Sequence, residues 1–180
     1  MKARIAILTA VVLGATSVAV SATAAPAKPA KQQAASATIV GVAAGDKRFS
    51  TLVSLVKQAG LVKTLNGKGP FTVFAPTNAA FAALKKNAPD TFAAVTSDKA
   101  LLTKVLTYHV VGKRIPSTAA ISVAKKQGSV KTVQGEPIKL SLKGGKLFLN
   151  GSSRVVIADV KASNGVIHAI NAVIVPPSIS

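Results

Sequence analysis

The sequence predicts an α+β domain behind an export signal. Three observations carry this. A charged and then apolar N-terminus comes first, apolar residues at helical spacing fill the middle, and period-two alternation with turn signals fills the last third.

Lys2 and Arg4 precede an apolar run from Ile5 to Val20, and Ala22-Thr23-Ala24 follows it. That is the layout of a secretory signal peptide, with cleavage expected after Ala24. An uncleaved membrane anchor is the rival reading, because the run is near the lower length for spanning. The small-residue site and the polar segment behind it favour cleavage. No Cys is present to carry a lipid, and the C-terminal Val-Pro-Pro-Ser-Ile-Ser lacks the hydrophobic tail of a lipid-anchor signal. The expectation is a freely exported protein without a membrane span in its mature form. It would be secreted or extracellular, with a periplasmic or surface-associated location left open. Residues 1–24 are thus assigned to the signal, 25–37 to a flexible Ala/Pro/Lys leader, 38–177 to one domain and 178–180 to a tail.

Within the domain, Ile39, Val40, Val42 and Ala43 predict a short helix. Leu52, Leu55, Val56 and Ala59 predict a second, stopped by Gly60. Leu61, Val62 and Leu65 add one apolar turn, and Asn66 to Pro70 is a loop. Phe71, Val73 and Ala75 alternate with Thr72 and Phe74 as a strand. Pro76, with no N–H for a ladder, ends it, and Thr77 caps a helix through Ala79, Phe81 and Leu84. After the break at Asn87 to Asp90, Phe92 and Val95 suggest a small helical turn. Ser97 or Asp98 then caps a helix whose stripe is Leu101, Leu102, Val105 and Leu106. Val110-Val111 reads as a short strand, and Ser117 to Ala124 is compatible with helix or strand.

The strongest local signal is a hairpin: Ile138 to Lys143 and Lys146 to Asn150 flank Gly144-Gly145. Pairing Lys143 with Lys146 sets Leu142 opposite Leu147 and Leu140 opposite Leu149. Four Leu then share a face that should be buried, and Ser141 and Phe148 share the other. Val155 to Val160 and Gly165 to Val175 are the last strands, closed by Pro176-Pro177.

The 180 residues carry 23 Lys and Arg against 5 Asp and Glu, a net charge of +18 that becomes +16 once Lys2 and Arg4 leave with the signal. Such a field favours acidic partners: anionic polysaccharides, wall polymers, phospholipid surfaces or extracellular nucleic acid. It also serves simply to keep an apolar-rich domain in solution. The doublets Lys85-Lys86, Lys113-Arg114 and Lys125-Lys126 are the densest basic points. Their convergence on one anion-binding patch is the sharper expectation, and a solvated surface the plain one.

Catalytic chemistry finds little to stand on. His109 and His168 lie in apolar runs and, with at most Asp159 nearby, do not match metal-ligand spacing, so no metal and no cofactor are expected. No Ser sits in a Gly-x-Ser-x-Gly elbow. Gly67-Lys68-Gly69 lacks the rest of a phosphate loop and is read as a turn. Aromatics are too few for base stacking, so any contact with nucleic acid would be driven by phosphate and weakened by salt, not specific. Asn150-Gly151-Ser152 is a glycosylation acceptor only in a host that glycosylates exported proteins, and an Asn-Gly turn is sufficient reason for it.

Thr72 to Phe81 (Thr-Val-Phe-Ala-Pro-Thr-Asn-Ala-Ala-Phe), Tyr108-His109 and Asn164 to Pro176 (Asn-Gly-Val-Ile-His-Ala-Ile-Asn-Ala-Val-Ile-Val-Pro) occur in that order. Together they resemble the two signature boxes and the intervening Tyr-His pair of the fasciclin domain family, over roughly Ser36 to Pro177. The resemblance implies a wedge-shaped β-sandwich with several helices packed along one edge. It implies adhesion or contact with extracellular matrix and cell-surface protein or glycan, and no enzyme activity. A soluble small-ligand carrier with an apolar cleft, or a nonspecific polyanion binder, are the alternatives. Phe74, Pro76, Thr77, Asn78, Phe81, Asn164, Gly165, Ile167 and His168 fall in the boxes and are read as core and corner residues. Tyr108, His109 and Asp159 are the contact points the resemblance suggests, since Asp159-Val160 stands where some animal members use an Asp-Ile pair for receptor contact. His109 is also expected to stabilise the corner after Pro76. The chain departs from the family pattern at Asn171 and Thr38, where Asp is common, and it has no Arg-Gly-Asp tripeptide.

Overall fold

The computed structural model describes residues 37–179. The signal peptide and all but the last residue of the leader fall outside that range. The first part is helical. The helix α1 (Ile39–Ala44) is capped by Thr38, whose side chain accepts from the Gly41 N–H. A 3-10 turn (Lys47–Phe49) leads into α2 (Ser50–Ala59), which ends on Gly60 in the left-handed region at φ 75°. The single turn α3 (Val62–Leu65) precedes the loop into the strand β1 (Phe71–Pro76). Thr77 caps α4 (Asn78–Asn87) by accepting from the Ala80 N–H. The expected small turn around Phe92 and Val95 is a full helix, α5 (Pro89–Ser97), with Pro89 at its first position, where the missing N–H costs nothing. Asp98 caps α6 (Lys99–Tyr108) through the N–H groups of Ala100 and Leu101.

After the strand β2 (Val110–Val111), the ambiguous segment is helical, as α7 (Ser117–Lys125). The remaining strands are β3 (Ser129–Lys131), β4 (Pro137–Lys143), β5 (Lys146–Leu149), β6 (Ser153–Ala162) and β7 (Gly165–Ile170). The hairpin has the expected register, from Lys143 opposite Lys146 to Leu140 opposite Leu149, with Gly144 and Gly145 both at positive φ. Leu140, Leu147 and Leu149 are buried and Leu142 is half-buried against the same cluster. The last strand stops at Ile170, five residues earlier than the apolar run suggests, because the Asn171 side chain accepts from the Arg154 N–H and the chain leaves the ladder there.

The strands are hydrogen-bonded in the order β2-β1-β7-β6-β5-β4-β3. The first and last long strands, β1 and β7, pair in parallel from Phe71–Gly165 to Pro76–Ile170. Both are buried on both faces. Val73, Ala75, Ile167 and Ala169 point into a core roofed by the N-terminal helices, with Phe49, Leu52, Leu102 and Leu106. Phe74 and Ile170 point the other way, into a second core with Tyr108, Ala120, Ile138, Leu140 and Leu149. The ten-residue β6 joins the two layers: it pairs with β7 through two register shifts and with β5 through Phe148–Arg154. Bulges in one strand are a common way to carry a sheet from one layer to the next.

Candidate functional site

The residues of the two boxes are wired inward. Asn164, 9% exposed, accepts from the Ile39 N–H (2.9 Å) through Oδ1 and donates through Nδ2 to the carbonyls of Leu65 (2.7 Å) and Gly67 (2.8 Å). One amide thereby ties α1 and the end of α3 to the start of β7. Next to it, a Cβ on Gly165 would stand 2.1 Å from the Phe71 carbonyl oxygen, so the parallel pair closes only around glycine. Asn78 does for α2 what Asn164 does for α1: its Nδ2 donates to Lys47 O and Ser50 Oγ, and its Oδ1 accepts from the Thr51 N–H. Phe74 and Ile167 are fully buried, Phe81 is 6% exposed, and Phe74 stacks on His168 with ring centroids 5.6 Å apart.

Tyr108 and His109 point into different cores. The Tyr108 hydroxyl donates to Pro137 O (3.1 Å) and accepts from Asn150 Nδ2 (2.9 Å), and burial holds its phenol above the usual value. His109 is 2% exposed; Nδ1 donates to Val105 O (2.7 Å), and Nε2 accepts from the Ile174 N–H (3.2 Å). Burial drives its pKa down to about 4, so it is neutral at physiological pH. The imidazole therefore braces the segment that follows β7. The ring makes no hydrogen bond to the corner after Pro76, although His109 and Pro76 line one small cavity, and the His109 carbonyl accepts from the Phe74 N–H of β1. Both side chains are buried in this structure.

Asp159, Ser117 and His168 lie together, yet not as a hydrolase. The Asp159 carboxylate accepts from the Ser117 N–H (2.8 Å) and from the Ser117 hydroxyl, holding the N-terminus of α7. Burial raises its pKa, and the two bonds from Ser117 outweigh that and leave it below the ordinary carboxylate value. His168 accepts at Nδ1 from the Asp159 backbone N–H (3.2 Å) and donates from Nε2 to Ile115 O (2.9 Å). Its burial lowers the pKa, and both ring nitrogens are occupied by backbone. No imidazole reaches the Ser117 hydroxyl, so the geometry of a general base is missing. Ser117, Ile115 and Thr72, which donates to Lys113 O and accepts from the Ile115 N–H, are parts of this clasp that spacing along the chain does not reveal.

The basic doublets are all exposed but are not all neighbours. Lys85-Lys86 end α4, whose Phe81 enters the helix-roofed core. Lys125-Lys126 end α7, whose Ala120 and Ala124 enter the second core across the β1–β7 pair. Lys113-Arg114 follow β2, where Arg114 donates to Gly165 O (3.3 Å). Lys125 and Lys139 instead line one open cleft beside β4. Among the described residues the one ion pair is Arg48–Asp46.

The apolar cavity under α1 and α2 measures about 30 Å³, room for little more than one water and far below the volume of an organic ligand. Among the described residues no group of His, Cys, Asp and Glu is placed to hold a metal, and no helix is long and apolar enough to cross a membrane.

The described residues form a two-layer α+β domain in which the polar side chains of the boxes are hydrogen-bonded internally and the cations lie on the exterior. The Fasciclin domain profile matches residues 47–176, and the chain belongs to the fasciclin domain family. Protein sll1483 of Synechocystis is 49% identical over 140 residues, 78% of this chain and 74% of that protein. Immunogenic protein MPB70 of Mycobacterium bovis is 36% identical over 85% of this chain and 77% of its own length. Transforming growth factor-beta-induced protein ig-h3 of Sus scrofa is 38% identical over 78% of this chain, which spans only 20% of that protein. Among solved structures, a FAS1 domain pair from the insect cell adhesion molecule Fasciclin I matches with a TM-score of 0.68 at 18% identity, over 79% of this chain and 52% of that one. That likeness is one of fold.

Proposed function

We propose that this chain is an exported, non-catalytic adhesion or matrix-interaction module, holding extracellular or cell-surface protein or glycan through its basic exterior. The carrying observation is the contrast between inside and outside. The polar groups of the signature boxes are spent on internal hydrogen bonds, as at Asn164, Asn78, His109 and His168. The surface doublets of Lys and Arg, by contrast, stand without acidic partners among the described residues. Membership of the fasciclin domain family supports the class of role. The apolar cavity between the helices and the sheet is about 30 Å³, too small to favour the carrier reading.

The test is a binding array of glycans, matrix proteins and anionic vesicles, probed at two salt concentrations. Retention on acidic or matrix surfaces, weakened by salt in proportion to the charge involved, is the expected result. Absence of retention on every surface at both salts would overturn it.

A further inference from the structure

The outward face of the hairpin layer collects cations that no doublet in the sequence marks. In β4 the residues alternating with Ile138, Leu140 and Leu142 are Lys139, Ser141 and Lys143. The register supplies their neighbours: Lys146 opposite Lys143, Phe148 opposite Ser141, and Arg154 of β6 opposite Phe148. On the other flank, Lys131 of β3 stands beside Pro137, and Ser129 beside Lys139. Lys131, Lys139, Lys143 and Lys146 are exposed, and Phe148 and Arg154 are half-buried. No acid occurs in β3, β4 or β5. Glu136, just before β4, accepts from Gln134, and the Asp159 carboxylate is held by Ser117.

Like charges directly opposite one another weaken a sheet, and Lys143–Lys146 is such a pair with no compensating acid among the described residues. Folding alone gives no reason for it. Phe148 supplies an apolar surface among the cations, with Lys143 Nζ 5.7 Å from its ring centroid. Ser141 Oγ, across from that ring, is buried and has no hydrogen-bond partner among the described residues. Past the end of β3 the face runs into an open cleft of about 660 Å³ lined by Lys125, Gln127, Lys139, Ser141, Asn150 and Gly151. That volume is of the size of ligand sites.

We infer that this face binds a chain of acidic sugars. Carboxylates or sulfates meet Lys139, Lys143 and Lys146, the apolar side of one ring lies on Phe148, and hydroxyls meet Gln127. The inference rests on the adhesion reading and narrows it to one surface and one partner chemistry. At about 3.4 Å per residue, Lys139 and Lys143 stand roughly 14 Å apart, which suits an extended polyanion better than one small anion. A single aromatic argues against single-stranded nucleic acid, whose successive bases each want a ring. A face whose one apolar side chain is half-buried has little to insert into a bilayer. Cations interleaved with hydroxyl and amide groups match a polymer that is both charged and polyhydroxylated.

The experiment titrates the full chain with oligogalacturonate at about 50 and 200 mM salt. Three variants are compared, each checked for a native circular dichroism spectrum. The first is Lys139→Glu/Lys143→Glu/Lys146→Glu, the second is Lys57→Glu/Lys63→Glu/Lys99→Glu on the helices with the same net-charge change, and the third is Phe148→Ala. The face triple should lose affinity at least about tenfold, in line with roughly a tenfold or smaller share per cation, and the helix triple less than about threefold. Phe148→Ala should weaken binding most visibly at the higher salt, where charge contributes least. Equal losses in the two triples would overturn the assignment to this face, and Phe148→Ala matching the parent at both salts would overturn the stacking role. Tighter binding of oligothymidylate or phosphatidylserine vesicles than of oligogalacturonate, with the same variant dependence, would overturn the sugar class. If oligogalacturonate fails to bind while another matrix surface is held, this inference falls and the adhesion reading stands. If every surface fails, it is the adhesion reading that falls.

Discussion

Replacing Asn164 by Ala tests whether the closing box is a brace. The side chain makes three hydrogen bonds across the domain, to Ile39, Leu65 and Gly67, at 2.7 to 2.9 Å and in a largely buried position. Each is worth about 1 kcal/mol net, and leaving the Ile39 N–H and the Leu65 carbonyl without partners adds a penalty of the same order. The expected loss is therefore about 3–4 kcal/mol, a fall of roughly 10 °C in Tm for a domain of this size. Urea unfolding followed by circular dichroism and by Tyr108 fluorescence reads it, with coincident transitions confirming two-state behaviour. Asn164→Asp sharpens the test. It keeps the acceptor for Ile39 and turns a negative oxygen toward two carbonyls, so its loss should be no smaller than that of Ala. A loss below about 1 kcal/mol for Asn164→Ala would refute the bracing role.

Two further outcomes follow from the interior. His109 has a folded pKa of about 4 against an ordinary 6.5, so below pH 6.5 the unfolded chain takes up a proton that the folded one refuses. Stability should be full above pH 6.5 and decline as pH falls toward 4, by up to about 3 kcal/mol from this group, with His168 acting in the same direction; His109→Gln should flatten that decline, and urea midpoints measured across the window check it. Gly165→Ala places a methyl group 2.1 Å from the Phe71 carbonyl oxygen, which can yield only if β1 and β7 separate. It should cost at least about 3 kcal/mol or prevent folding, and a thermal melt within a few degrees of the parent would contradict the tight parallel pair.

Local chemistry made much of the fold legible. Gly60, Thr77 and Asp98 end or start helices where their side chains or conformations permit, and Gly144-Gly145 set the hairpin register because a two-residue turn allows little else. What escaped depends on distant contacts. The parallel pairing of β1 with β7 joins segments almost a hundred residues apart, and no local pattern encodes it. The apolar run to Val175 looks like continuous strand, yet Asn171 and His109 capture it beyond Ile170 through side-chain bonds. The segment from Ser117 is compatible with helix or strand on its own pattern, and its helix is fixed from outside, by Asp159. On the surface, adjacency in the chain marks Lys125 as part of a basic doublet but does not mark Lys139, Lys143 and Lys146. These alternate with the buried Leu of the hairpin, and they form a group only once the register is applied.

The central claim is that the family boxes build the domain while recognition lies on its basic exterior. Tyr108→Phe tests it most directly, because Tyr108 belongs to the Tyr-His pair, is fully buried, and would lose only its bonds to Pro137 and Asn150. The measurement is the affinity of this variant for the partner surface retained in the array, taken well below its Tm. Affinity within about twofold of the parent, with stability lower by roughly 1–2 kcal/mol, is the expected result. A tenfold loss of affinity in a variant that remains folded would place recognition at the Tyr-His pair and contradict the account.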